Sequence, residues 1–162
     1  MTSEITSTIN INESSIDSPN RNDLTTTVKN DLSIGEIIIH KMVKHGDLIY
    51  VTKSSHIKPG EEWKVDVEAK GAGSNVVLNI TMPNQSGWAI ITATPANKSN
   101  YFKVQHNKYR YNDAQDAEDA AEKQDKHYDT SETYDEAANG YEAIINITSE
   151  THAHCSIVFR DE

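Results

Sequence analysis

The chain has 162 residues, of which 36% are hydrophobic and 25% are charged, and its formal net charge at neutral pH is −10. This length is typical of one domain, and the acidic charge argues against a nucleic-acid partner because neutralising phosphates requires an excess of lysine and arginine. A lone cysteine excludes an internal disulfide, and no apolar run in the sequence is long enough for a membrane-spanning helix.

Residues 1–30 form a distinct block at the start of the chain. Sixteen of them are serine, threonine or asparagine and none is aromatic, and such side chains compete with regular structure by bonding to nearby backbone. We therefore predict a flexible or docking tail over 1–30 and a single domain over 31–162. Ile5, Ile9 and Ile11 are apolar enough to dock as a short strand on a sheet edge, of this chain or of a neighbouring copy.

The first residues, MTSEITSTIN, lack the basic and apolar regions of a secretory signal. We therefore expect a cytoplasmic protein, with unconventional export as the alternative.

Short alternating runs separated by turn signals dominate the rest of the chain. They predict strands at Gly35–Val43, Asp47–Lys53, Trp63–Ala69, Val76–Thr81, Trp88–Thr94, Tyr101–Tyr111, Tyr141–Thr148 and Cys155–Arg160. In the third run Trp63, Val65 and Val67 share one face, which we predict to be the core face. Because strands and helices do not alternate, we predict a mainly β fold, an antiparallel β-sandwich of about eight strands.

Residues 112–136 interrupt this pattern with ten acidic residues and two lysines. The stretch Asp113–Lys126 is rich in alanine, the best helix former, and predicts one inserted acidic surface helix. Ala114, Ala117 and Ala121 form only a narrow stripe of small side chains. We therefore expect the helix to bury little and to be dispensable for folding.

Basic and aromatic residues are interleaved in residues 98–111. Tyrosines outnumber phenylalanines seven to two in the chain, and a tyrosine offers both the apolar ring and the polar tip that sugar and lipid-headgroup sites need. A plain strand whose charged outer face meets the acidic helix is the structural alternative. The candidate ligand-binding residues are Trp88, Tyr101, Lys103, Tyr109 and Tyr111.

Two pairs of residues are candidate metal ligands. His152 and His154 share a face if they lie in a strand, which suits a transition metal. Asp129 and Glu132 lie in an irregular acidic stretch, where carboxylates can converge on Ca²⁺. Exposed histidines and a solvated acidic surface are the simpler interpretations, and no other cofactor is indicated.

No motif of a known catalytic or nucleotide-binding site is present, such as G-x-S-x-G, G-x-x-x-x-G-K-[ST] or H-E-x-x-H. Cys155 lies in an apolar run, which favours a buried thiol over a nucleophile. Together with tyrosine- and asparagine-rich loops, this favours a non-catalytic binding or interaction module, for a glycan or a membrane surface.

Two alternative functions stay open. The pattern of Tyr141–Ile147 followed by Cys155–Phe159 resembles the C-terminal ends of some small bacterial insecticidal β-sandwich proteins. This resemblance implies a membrane-acting toxin component and transfers no site residue. The other alternative is a subunit of a homo-oligomeric or filamentous assembly that docks through residues 1–30.

Overall fold

The computed structural model describes residues 23–162. These residues form twelve strands and one helix. The elements are β1 (Asp23–Asp31), β2 (Ile37–His45), β3 (Asp47–Val51), β4 (His56–Ile57), β5 (Glu62–Glu68), β6 (Gly73–Thr81), β7 (Gly87–Pro95), β8 (Tyr101–Asn107), α1 (Ala114–Glu122), β9 (Tyr128–Asp129), β10 (Tyr134–Ala138), β11 (Tyr141–Ile147) and β12 (His152–Asp161).

The strands form two six-stranded sheets packed face to face. The first sheet has the order β10-β11-β12-β1-β5-β3, and the second has the order β4-β2-β6-β7-β8-β9. All the strand pairs are antiparallel except that of β1 with β12, which is parallel. The predicted mainly β sandwich with one inserted helix is confirmed, with four strands more than the eight that the alternation indicates.

Strand β1 corrects the boundary that the composition placed at residue 31. It lies in the middle of the first sheet, and Leu24 and Val28 are fully buried. Threonine is β-branched and suits a strand, and the buried Thr26 Oγ1 lies 3.2 Å from Thr92 Oγ1 in the facing sheet. Asn30 Nδ2 donates to the carbonyl oxygens of Gly35 and Ile57. Residues 23–30 are therefore part of the sandwich, whereas Ile5, Ile9 and Ile11 lie outside the described residues.

The main core lies between the two sheets. Trp63, Val65 and Val67 are at most 2% exposed, so the predicted inward face of this strand is confirmed. The thiol of Cys155 is also fully buried in this core, and burial raises its pKa well above the usual range.

Helix α1 lies on the outer face of the second sheet, the face turned away from the main core. Its first turn is capped by Asp113, whose side chain accepts a hydrogen bond from the Asp116 backbone N–H at 2.8 Å. Ala117 and Ala121 are fully buried and pack into a second apolar cluster with Val77, Ala89 and Ile91.

The helix itself buries only Ala117 and Ala121, as the narrow alanine stripe predicts, but it covers an apolar surface of the sheet that the stripe does not reveal. Strands β6 and β7 carry apolar residues on both of their faces, and the helix covers the outer of these faces. Within residues 23–162, no helix has the length and apolar character needed to cross a membrane.

Candidate functional site

Two clefts open on the outer face of the second sheet. The Asn79 cleft includes Asn112, just before α1, and the Lys98 cleft includes His127, which follows the helix. The strand register places Asn79 four residues along and two strands across from Tyr101. At the usual strand spacings the backbones of these two residues, one from each cleft, are about 16 Å apart.

The Asn79 cleft has a volume of about 280 Å³ and is lined mainly by polar side chains. His40 on β2 pairs with Asn79 on β6, and Ile38 pairs with Thr81, so the register of these two strands sets the floor of the cleft. Its lining residues are Ile38, His40, Asn79, Thr81, Gln85, Arg110, Tyr111 and Asn112.

The wall of this cleft is the chain segment that follows β8. The Arg110 backbone N–H donates to the Gln85 carbonyl at 2.8 Å, and Asn79 Nδ2 donates to the Tyr111 carbonyl at 3.4 Å. Gly87 permits this close approach, because a Cβ at that position would lie 2.9 Å from the Arg110 Cα. Gln85 has a φ of 72°, in the left-handed region, within the turn between β6 and β7.

Two buried polar atoms belong to residues of the Asn79 cleft. Asn79 Oδ1 and the Tyr111 hydroxyl are both buried, and neither has a hydrogen-bond partner among residues 23–162. The Tyr111 phenol is protonated at neutral pH, as at the ordinary tyrosine pKa of 10.0, and can donate or accept. Burial raises this pKa further, to about 12. An unpaired buried polar atom costs about 1–3 kcal/mol. The cleft residues therefore include two polar groups whose hydrogen-bonding capacity is not met by residues 23–162.

The Lys98 cleft has a volume of about 320 Å³ and is lined by Lys98, Ser99, Tyr101, Lys103, His127 and Asp129. The loop before β8 is anchored by the buried Asn100, whose amide donates to the Thr148 carbonyl at 2.8 Å and the Glu150 carbonyl at 3.3 Å. The ring centroids of Tyr101 and His127 lie 5.4 Å apart, and the two ring planes are at an angle of 60°.

The charges of the Lys98 cleft are mixed. Lys103 Nζ lies 3.8 Å from a Glu122 carboxylate oxygen, whereas Lys98 forms no ion pair within the described part of the chain. Asp129 Oδ1 accepts hydrogen bonds from the Ser131 backbone and hydroxyl, and these bonds lower the pKa of Asp129. The cleft thus offers one unpaired lysine beside an aromatic pair.

The structure places the predicted ligand-binding residues in different parts of the molecule. Tyr111 lines the Asn79 cleft, Tyr101 and Lys103 line the Lys98 cleft, and Tyr109 is 69% exposed and lines neither. The prediction that Trp88 contacts a ligand is wrong, because its indole is fully buried in the core. The Trp88 ring packs 5.5 Å from the ring of Phe159.

The four predicted metal ligands lie as two separate pairs, His152 with His154 and Asp129 with Glu132. His152 and His154 are on β12 of the first sheet, and their Nε2 atoms lie 3.0 and 3.2 Å from the hydroxyls of Thr25 and Thr27. Asp129 is on β9 of the second sheet, and Glu132 is bonded to Lys126 at 2.7 Å. Across residues 23–162, no three His, Cys, Asp or Glu side chains are grouped to hold a metal ion. The structure therefore does not bring these four residues together.

Sequence reasoning missed His40, Asn79, Gln85 and Arg110. The one local signal is Asn79, a polar residue within the apolar strand VVLNIT. Alternation from the core residue Leu78 places Asn79 on the outer face, where it is nonetheless only 2% exposed.

Comparison with known proteins identifies the fold. No protein-family model matches the sequence, and no curated protein sequence is significantly similar to it. The fold is similar to that of the lipid-binding protein Nakanori, with a TM-score of 0.63 and 15% identity, over 85% of this chain and 70% of that chain. It is also similar to a lectin of Xerocomus chrysenteron, with a TM-score of 0.52 and 12% identity, over 85% of this chain and 97% of that chain. At this identity the likeness shows the fold alone.

Proposed function

We propose that this protein is a non-catalytic module that binds a glycan in the Asn79 cleft. The observation that carries the proposal is that Asn79 Oδ1 and the Tyr111 hydroxyl, two of the four buried side-chain atoms without partners among residues 23–162, belong to residues that line one polar cleft. Sugars present many hydroxyl groups that both donate and accept, and a cleft with a few convergent polar groups is the usual form of a small-ligand site. The similar folds of a lectin and a lipid-binding protein support a binding role.

Each group of the cleft has a separate role in this proposal. The exposed Arg110 guanidinium and His40 imidazole supply hydrogen-bond donors at the mouth of the cleft. Tyr111 supplies an aromatic ring against which the apolar face of a sugar can pack, in addition to its hydroxyl. Asn79 supplies an acceptor at the floor.

A glycan array probed with the full chain tests this function, followed by calorimetric titration of the glycans that bind. We expect Arg110→Gln and Tyr111→Phe each to weaken binding about tenfold, which corresponds to about 1.4 kcal/mol. Lys58→Gln is the matched control, because Lys58 is exposed and lines neither cleft. Binding of no glycan by the unaltered protein, or unchanged affinity in both cleft variants, would contradict the proposal.

A second candidate function is recognition of a membrane surface by the Lys98 cleft. The unpaired Lys98 beside the Tyr101 and His127 rings favours it, since lysines next to amphipathic rings suit anionic headgroups. The test is sedimentation of the full chain with phosphatidylcholine vesicles, with and without phosphatidylserine. We expect Lys98→Gln to reduce binding to the anionic vesicles and Lys58→Gln to leave it unchanged.

Leakage of a dye trapped in the same vesicles distinguishes two membrane roles. Binding without leakage supports surface recognition, whereas leakage favours the toxin alternative. Equal sedimentation of both variants with the unaltered protein would argue against the Lys98 cleft as the contact.

A further inference from the structure

Strand β3 is an exposed edge with an apolar surface. It lies at the end of the first sheet, next to β5, and Leu48, Ile49 and Tyr50 are 44%, 61% and 48% exposed. The pairing of β3 with β5 shifts register between Leu48 and Tyr50, so a bulge interrupts the alternation there. A bulge lets neighbouring side chains depart from strict alternation. It therefore accounts for three successive apolar side chains that are all exposed.

The outer edge of β3, the edge that faces away from β5, is open within residues 23–162. Its ladder hydrogen bonds are to β5, and within residues 23–162 no strand pairs with its other side. An unpaired edge of this kind is a template for another strand, and native proteins usually protect it with charges, with proline or by covering it. Here the apolar residues Leu48, Ile49 and Tyr50 occupy the middle of the strand.

Two charges of opposite sign flank these residues. Asp47 begins β3 and Lys53 lies two residues beyond its end, with Tyr50 midway between them. Two lysines of the same chain lie beside the strand, since Lys70 Nζ is 3.9 Å from Asp47 Oδ1 and Lys64 Nζ is 5.1 Å from the centroid of the Tyr50 ring.

If two copies of β3 pair antiparallel about Tyr50, Ile49 lies opposite Val51 of the other copy. Each Asp47 then lies opposite the Lys53 of the other copy. The two-fold axis therefore produces two equivalent Asp47–Lys53 pairs.

We propose that two copies of this chain associate through β3, in an antiparallel pairing centred on Tyr50 that joins the two first sheets into one. The two clefts are on the second sheet and stay free in this arrangement. A dimer therefore carries each cleft twice, which raises the avidity for a surface that displays many ligands.

The test is the mass of the full chain in solution over a range of protein concentrations, measured by sedimentation equilibrium. We expect Ile49→Lys to weaken self-association about tenfold or more, because it places a charge in the centre of the pairing. Ile34→Lys is the matched control, because Ile34 is 80% exposed and lies outside β3. This control should associate like the unaltered protein.

Charge exchange tests the register. Asp47→Lys and Lys53→Asp each place like charges opposite one another and should each weaken association. A mixture of the two variants should restore it, because the two lysines of one chain then lie opposite the two aspartates of the other. Circular dichroism of each variant establishes that it is folded. A monomer at all concentrations, association that persists in Ile49→Lys, or no recovery in the mixture would overturn the proposal.

Discussion

Trp63 illustrates how a single side chain contributes to the stability of this sandwich. It lies on β5 with 2% of its surface exposed, among the largest side chains of the main core. Removing a buried tryptophan leaves a cavity as well as losing its transfer free energy. We expect Trp63→Ala to lower the free energy of unfolding by about 3–5 kcal/mol, measured by urea denaturation. A loss below about 1 kcal/mol would mean that the β5 register is wrong.

The Tyr111 phenol makes stability depend on pH in the alkaline range. Burial raises its pKa from 10.0 to about 12, so the unfolded chain ionises first as the pH rises. Its contribution is complete below pH 10 and is lost as the pH rises through about 12. We expect Tyr111→Phe to reduce the decline of the free energy of unfolding across this window.

The matched control for this titration is Tyr109→Phe, since Tyr109 is 69% exposed. Urea denaturation of the three proteins at a series of alkaline pH values provides the measurement. If the free energy of unfolding declined with pH at the same slope in Tyr111→Phe and in the unaltered protein, ionisation of Tyr111 would not be the cause of the decline. At neutral pH the Tyr111→Phe variant should be no less stable, because the hydroxyl that it loses has no partner among residues 23–162.

At the scale of elements, α1 covers the second apolar cluster, which lies on the outer face of the second sheet. Ala117 and Ala121 are small enough for the helix to lie close to Val77 and Ile91, and both alanines are fully buried. A larger side chain at either position would push the helix away from the sheet. We expect Ala121→Gln to cost about 1–3 kcal/mol, the usual penalty for overpacking plus the burial of a polar amide.

The adjacent Ala120 is partly exposed and provides the control on the same turn of the helix. Ala120→Gln should change the free energy of unfolding by less than about 0.5 kcal/mol. Thermal unfolding of both variants compares them directly. Equal stabilities of Ala121→Gln and Ala120→Gln would support the expectation, drawn from the alanine stripe, that this helix is dispensable for folding.

At the scale of the whole molecule, β1 joins the two parts of the first sheet. Strand β1 pairs on one side with β12, at the other end of the chain, and on the other side with β5. Without β1 the first sheet would be split into two parts, and the main core would lose Leu24 and Val28. We therefore expect a chain that starts at Asp31 to show no cooperative unfolding transition.

Differential scanning calorimetry of this shortened chain beside the full chain is the measurement. A cooperative transition in the shortened chain would show that β12 and β5 can form the core without β1. The control is the single substitution Lys29→Ala, at an exposed position of the same strand, which should leave the transition nearly unchanged.

Local pattern predicted much of the fold but little of the site. Strict alternation identified β5 and its core face, and the alanine-rich run identified α1, because both signals depend only on neighbouring residues. Strands β4 and β9 have two residues each and exist only through pairing with a neighbour. The run of three threonines in β1 resembles a polar linker in the sequence. In the structure Thr26 faces the second sheet, and the hydroxyls of Thr25 and Thr27 lie 3.0 and 3.2 Å from the His152 and His154 side chains of β12.

The sequence by itself determined the β class, the positions of most of the main strands along the chain and the residues of β5 that face the core. Only the tertiary structure decided that Trp88 is buried and that Asn79 and Tyr111, which are 32 residues apart, share one cleft. The physical reason is that alternation is a property of one strand. The pairing of β2 with β6 and the path of the chain after β8 are set by contacts between distant segments. Those contacts leave Asn79 Oδ1 and the Tyr111 hydroxyl buried without a partner among residues 23–162.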